Sequence, residues 1–125
     1  MKINFTIPLS PITKKNSQRI FVNKSTGRHF VAPSEQYKNY EKSAGIYIPK
    51  AAMPLDIPLN VKCLFYMPTK RRCDLTNLLE AIDDIMVEYG LIADDNYNII
   101  ASHDGSRVLW DKENPRTEIE ITEFA

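Results

Sequence analysis

Between Asp74 and Gly90 the apolar residues Leu75, Leu78, Leu79, Ile82, Ile85, Met86 and Tyr89 recur at steps of three and four, the period of one helix face. A stripe of that length needs a second apolar surface to cover it, and the rest of the chain has to supply one. Both helix ends are marked. Asp74 occupies the N-cap position, and Gly90 follows the last apolar residue, where glycine can take the left-handed conformation that closes a helix. Lys70, Arg71 and Arg72 lead into the helix, and a short turn after Gly90 is expected to return Asp94 and Asp95 to their neighbourhood.

The flanking sequence supplies the covering surface. Ile3, Phe5 and Ile7 alternate with Asn4 and Thr6, which predicts a half-buried strand stopped by Pro8 and Pro11. The polar stretch from Thr13 to Arg19 has no period and reads as a loop. Its Lys14, Lys15 and Arg19, with Asn16 and Ser17 as neutral donors, either contact phosphates or form a solvated connection, and position beside the acidic residues separates the two. Ile20-Phe21-Val22 and His29-Phe30-Val31 flank a Gly-containing loop of hairpin length. Ser34 caps a helix whose stripe is Tyr37, Tyr40, Ala44, Tyr47 and Ile48, read as core packing rather than a base-stacking platform. Leu59, Val61, Cys63, Phe65 and Met67 alternate in a long central strand that ends at Pro68. Residues 98–103 and 106–110 give short strands, and Thr117 to Phe124 a one-sided closing strand. That order implies an α+β fold: one small domain over 1–125, with a mixed, mainly antiparallel sheet and two helices on one face.

Charge is unevenly divided. The chain is neutral overall, yet residues 1–72 hold 13 Lys+Arg against 3 Asp+Glu and residues 73–125 hold 3 against 13. A basic surface for phosphates beside an acidic one for cations follows, unless the halves merely pair on the surface. No apolar run reaches membrane-spanning length and the N-terminus lacks a signal-peptide core, so no membrane partner and a cytoplasmic location are expected, with Cys63 and Cys73 as free thiols. At 125 residues a homo-oligomer is also expected.

Carboxylates brought together from a helix start and a nearby turn offer the hard oxygen ligands that Mg²⁺ takes, and such an ion can activate water against a phosphodiester. The plainer alternative is that Asp74 only caps a helix and Asp94-Asp95 only forms a turn.

The run Met67-Pro68, Arg71-Arg72-Cys73-Asp74-Leu75-Thr76-Asn77-Leu78-Leu79-Glu80-Ala81, Asp84 and Gly90-Leu91-Ile92-Ala93-Asp94-Asp95 resembles the RusA family of Holliday junction resolvases, found mostly in phages and prophages. The likeness extends to the loop from Pro11 to Asn16, the aromatic first helix and the closing Ile121-Thr122-Glu123. It implies an α+β homodimer that binds four-way DNA junctions and makes paired, symmetric nicks dependent on Mg²⁺ or Mn²⁺, leaving ligatable ends. Asp74 matches the first aspartate of the family's Asp-Leu-Asp-Asn motif, and Asp94 and Asp95 match its Asp-Asp pair, whose second member is catalytic. The motif's second aspartate is Thr76 here and its lysine one turn later is Glu80. Two readings follow. In one, the protein binds junctions but has lost cleavage. In the other, Glu80 reaches back over the turn that carries Thr76 and the catalytic and metal-holding set becomes Asp74, Glu80, Asp94 and Asp95, with Lys70, Arg71 or Arg72 restoring the missing charge. The plainer reading of Glu80 is a solvated helix residue. Lys14, Lys15, Asn16, Arg19, Lys70, Arg71, Arg72 and Asn77 are the expected DNA contacts. Asp84 lies roughly 15 Å along the helix from Asp74, and with Asp83 and Glu88 is assigned to a solvated face or a subunit interface.

Overall fold

In chain order the elements are β1 (Lys2–Ile7), β2 (Gln18–Val22), β3 (His29–Pro33), α1 (Glu35–Gly45), β4 (Leu59–Met67), α2 (Leu75–Glu88), β5 (Ile100–Ser102), β6 (Arg107–Trp110) and β7 (Arg116–Glu123). They come from a computed structural model that describes residues 1–14, 18–22 and 24–124, with backbone alone at 18–22 and 29–33. β4 is central, as its pattern indicated. β7 lies antiparallel along one side of it and β1 antiparallel beyond β7. Along the other side β5 and then β6 pair parallel to β4, through Leu59↔Ile100 and through Leu64↔Arg107 to Met67↔Trp110. Where those two strands break, Ser106 Oγ accepts the Cys63 N–H at 2.9 Å, so the edge of β4 stays satisfied. β2 and β3 form a separate antiparallel pair with Phe21 opposite Phe30. The fold is α+β with two helices and a mixed five-stranded sheet.

Period-two alternation gives the sheet two unlike faces. Val61, Cys63 and Phe65 of β4 and Thr117, Ile119 and Ile121 of β7 are buried, while Asn60, Lys62, Leu64 and Tyr66 between them are half-buried. The helices cover the buried face with Tyr37, Tyr40 and Ala44 from α1 and Leu78, Ile82, Ile85 and Met86 from α2. Tyr47, expected on the α1 stripe, is 43% exposed because that helix ends at Gly45 and the next turn carries it off the buried face. The Tyr89 ring packs against Gly45, so a side chain there would have to displace that partly exposed ring.

The exit of α2 follows its glycine. Gly90 has φ 80°, its N–H donates to Val87 O at 3.1 Å, and the Leu91 N–H donates to Met86 O at 3.0 Å. These two bonds satisfy terminal carbonyls and turn Leu91 and Ile92 back into the core. Leu55 then ties the chain down, donating to Leu91 O and accepting from Ala93 N, each at 2.9 Å.

One polar pair lies within this packing. Asp83 is buried rather than solvated, and its Oδ2 stands 2.8 Å from His103 Nε2. His103 Nδ1 is 2.7 Å from the Val61 carbonyl, which can only accept, so Nδ1 carries a proton. Burial disfavours the His103 charge, but the Asp83 hydrogen bond, the Asp83 charge and the Val61 carbonyl outweigh it and raise the pKa. Burial also raises the Asp83 carboxyl, against the pull of His103. Together the pair holds its proton more tightly folded than unfolded. Its contribution is complete below the ordinary histidine pKa of about 6.5 and is lost as pH rises through the higher folded value. His103→Gln is expected to cost about 3 kcal/mol at pH 6, because it strands a buried carboxylate. Urea unfolding at pH 6 and pH 9 should show the wild type losing stability between them and the variant losing less.

Candidate active site

At the start of α2, Asp74 has N-cap backbone angles (φ −98°, ψ 126°), but its side chain makes no capping hydrogen bond. A capping carboxylate accepts from the amides of the first turn. This one is exposed and instead accepts from Asn77 Nδ2 at 3.3 Å, so Asn77 orients it while leaving it open to solvent. Arg71 and Arg72 are exposed and line a cleft of about 500 Å³ with Pro11, Thr13, Gln36 and Cys73. Lys70 places its Nζ 4.7 Å from the centre of the Trp110 ring. Thr76 is exposed in the first turn. The helix start is thus a basic rim around one uncommitted carboxylate.

Further along α2 the surface becomes acidic. Glu80, Asp84 and Glu88 follow at four-residue steps and share a face. Asp84 and Glu88 line a cleft of about 290 Å³ with Lys14, Glu41, Val87 and Asp95. Burial raises the Asp84 carboxyl, Lys14 opposes this, and the charges of Asp95 and Glu80 add to it. Lys14 therefore stands beside the acidic residues. Lys15 and Asn16 lie outside the described residues. Arg19 falls on β2, its backbone opposite Ala32.

The turn that carries Asp95 is built by its neighbours. Asp94 Oδ1 accepts the Asp95 N–H at 2.7 Å and Asp94 Oδ2 accepts Asn96 Nδ2 at 3.1 Å. The Asp95 N–H, and then Asn96, hold the Asp94 carboxyl below the usual carboxylate range. Asn96 Oδ1 accepts the Asn98 N–H at 2.9 Å, and Asn96 O receives the N–H groups of Ile99 and Ile100 at 3.0 and 2.9 Å. Asp94 thus serves the turn, and Asp95 is presented by it.

The site residues are not all brought together. Asp95 meets Asp84, Glu88 and Lys14, whereas Asp74 stands at the other end of the helix. The physical reason is length: a helix of 14 residues extends about 21 Å, and the Gly90 turn and Leu55 bridge fix Asp94 and Asp95 beside its C-terminal half. Glu80 lies between, and its charge reaches Asp84. Among the described residues the cation that lines the Asp95 cleft is Lys14, and Lys70 to Arg72 do not line it. Among the described residues no group of three His, Cys, Asp or Glu is arranged to hold a metal ion. Mg²⁺ commonly takes only one or two carboxylates and fills its octahedron with water and phosphate oxygens, so the Asp84 and Asp95 donors fit it. The sequence reading did not anticipate that Asp84 shares a cleft with Asp95. The Glu80, Asp84, Glu88 spacing was the available signal, since like charges four apart on one helix face repel.

Nearly the whole chain, residues 8–122, matches the family model described as "Endodeoxyribonuclease RusA". No curated protein matches it. No helix among the described residues is long and apolar enough to cross a membrane.

Crowded carboxylates leave a thermodynamic trace. Since the charged form of Asp84 is disfavoured on balance, Asp84→Asn is expected to stabilise the fold by about 0.2–0.5 kcal/mol, on the order of 1–2 °C in Tm. Calorimetry at pH 7 checks this; a destabilised variant would show that Lys14 dominates instead.

Proposed function

Because the chain belongs to the RusA endodeoxyribonuclease family, we propose that it is a Mg²⁺-dependent, structure-selective endonuclease that resolves four-way DNA junctions by paired, symmetric nicks. The observation that carries this reading is the acidic face of α2 opposite Asp95, with a lysine in the same cleft and a basic rim at the helix start. Phosphodiester hydrolysis needs that combination: carboxylates for the metal and the water, and cations for the flanking phosphates.

Asp95 and Asp84 would hold the metal, with Glu80 one turn before Asp84 on the same helix face and Asp74 as the carboxylate at the N-terminal end of that helix. When bound, Mg²⁺ supplies a more acidic water and charge to offset the leaving oxygen. Asp94 fixes the turn that presents Asp95. Asn77 orients Asp74. Lys14, Lys15, Asn16, Arg19, Lys70, Arg71 and Arg72 bind backbone phosphates. The oxygen of water bonds to phosphorus as one P–O bond of the backbone breaks, leaving a 5′-phosphate and a 3′-hydroxyl that can be rejoined. A two-fold homodimer matches a two-fold junction, each subunit cutting one of two opposed strands in the cytoplasm.

Thr76 motivates a second reading, a junction binder without cleavage, because a neutral hydroxyl stands where the family motif has a carboxylate. Synthetic junction incubated with and without Mg²⁺ separates the two. Cleavage that requires the ion and falls roughly 100-fold or more in Asp95→Asn and in Asp74→Asn supports the enzyme. A shifted band without product supports the binder, and an Asp95→Asn protein that still cuts defeats the assignment. Glu80→Gln is expected to lower the rate as well; undiminished cleavage would remove Glu80 from the site.

A further inference from the structure

Trp110, the single tryptophan of the chain, is 50% exposed at the end of β6, which pairs with β4 alone among the described strands. Its backbone is fixed where β4 gives way to the basic run, since Trp110 lies opposite Met67 and the Asp111 N–H donates to Met67 O at 3.0 Å. Lys70, from that run, lies over the indole at 4.7 Å from its centre. Arg71 and Arg72, which follow Lys70, are exposed, whereas Arg107 of β6 faces the other side of the strand with Leu109. Val108, on the same side of β6 as Trp110, is 36% exposed. An apolar ring half in water on a sheet edge carries a hydrophobic cost that nothing in the core requires.

The surroundings select what would cover it. Three consecutive cations, Lys70, Arg71 and Arg72, lie on the segment whose Lys70 covers the ring, so the occupant carries negative charge at short, regular spacing. A nucleic-acid strand does so while also offering flat apolar faces. Stacking on an aromatic ring tolerates any base, and a cation at the ring edge can hold the phosphate of the stacked nucleotide. A base inside a continuous duplex is stacked on both sides and has no face to give. A base at the exchange point of a junction, or in a single strand, does.

Resting on the nuclease reading above, we propose that Trp110 and Lys70 form a stacking platform for a base whose own stacking is interrupted, with Arg71 and Arg72 holding the adjoining phosphates. Its Lys70 lies four residues before Asp74, on the segment that enters α2, and the platform would select unstacked DNA without reading base edges.

The lone tryptophan makes the test direct. Its emission in the full-length protein is followed in EDTA as four-way junction, single-stranded DNA or a relaxed closed circular duplex is added, with binding measured in parallel by gel shift. Emission should be quenched by junction and single strand and change little with the duplex. Trp110→Ala, its fold verified by circular dichroism, should bind junction roughly 5- to 100-fold more weakly, with Trp110→Phe between it and the wild type. If the alanine variant fails to fold, the wild-type emission and the phenylalanine variant carry the test. Junction binding with unchanged emission, equal quenching by duplex, or quenching by polyglutamate but not DNA would overturn the platform and leave the nuclease reading standing. Wild-type protein that binds no DNA would overturn both.

Discussion

Parallel pairing of β5 and β6 with β4 is the constraint on which the rest depends. Strands that run the same way cannot be joined by a tight turn, so the chain must cross back over the sheet, and α2 is that crossover. Its start is fixed by the end of β4 at Met67 and its end by the start of β5 at Ile100. Asp74 and the basic run therefore lie at one end of the sheet. Asp94 and Asp95, held by the Gly90 turn and the Leu55 bridge, lie toward the other. A site that reads as one cluster along the sequence becomes a face that runs the length of a helix.

Such a face is costly to build from carboxylates, and packing decides that it can exist. Each like-charged pair four residues apart on α2 costs about 0.2–0.5 kcal/mol. Leu78, Ile82, Ile85 and Met86 on the opposite side are buried, and each contributes about 1.5–3 kcal/mol. The apolar side outweighs the acidic one several times over. The helix can therefore keep Glu80, Asp84 and Glu88 together beside Asp95, with Lys14 relieving part of the repulsion. The buried Asp83 and His103 pair sits beneath this face and joins it to β4 through Val61 O. The proton shared between His103 Nε2 and Asp83 is part of what keeps the crossover seated.

Much of this was legible in the residues because it rests on short-range rules. The alternation at Leu59–Met67, the 3.6 period of α2, the Ser34 cap and the Gly90 stop each depend on a few neighbouring positions, and each appears where the pattern indicates. What escaped depends on contacts distant in sequence. Asp83 looks solvated until His103, 20 residues on, is folded over it. Lys14 meets Asp84 only because β1 returns the chain to that side of the sheet. Asp74 looks like a helix cap from its position, and only the observed hydrogen bonds show its carboxylate turned toward Asn77. The family motif locates the chemistry in the sequence, while the fold decides which carboxylates share a cleft.

The positions of the nicks on a four-way junction, labelled on each strand in turn, test the central claim most directly. With Mg²⁺ present, one opposed pair of strands should be cut at symmetric positions and at equal rates, leaving ends that DNA ligase reseals. Nicks on a single strand, a bound junction whose four strands all stay intact, or linear duplex cut as fast as the junction would contradict the account.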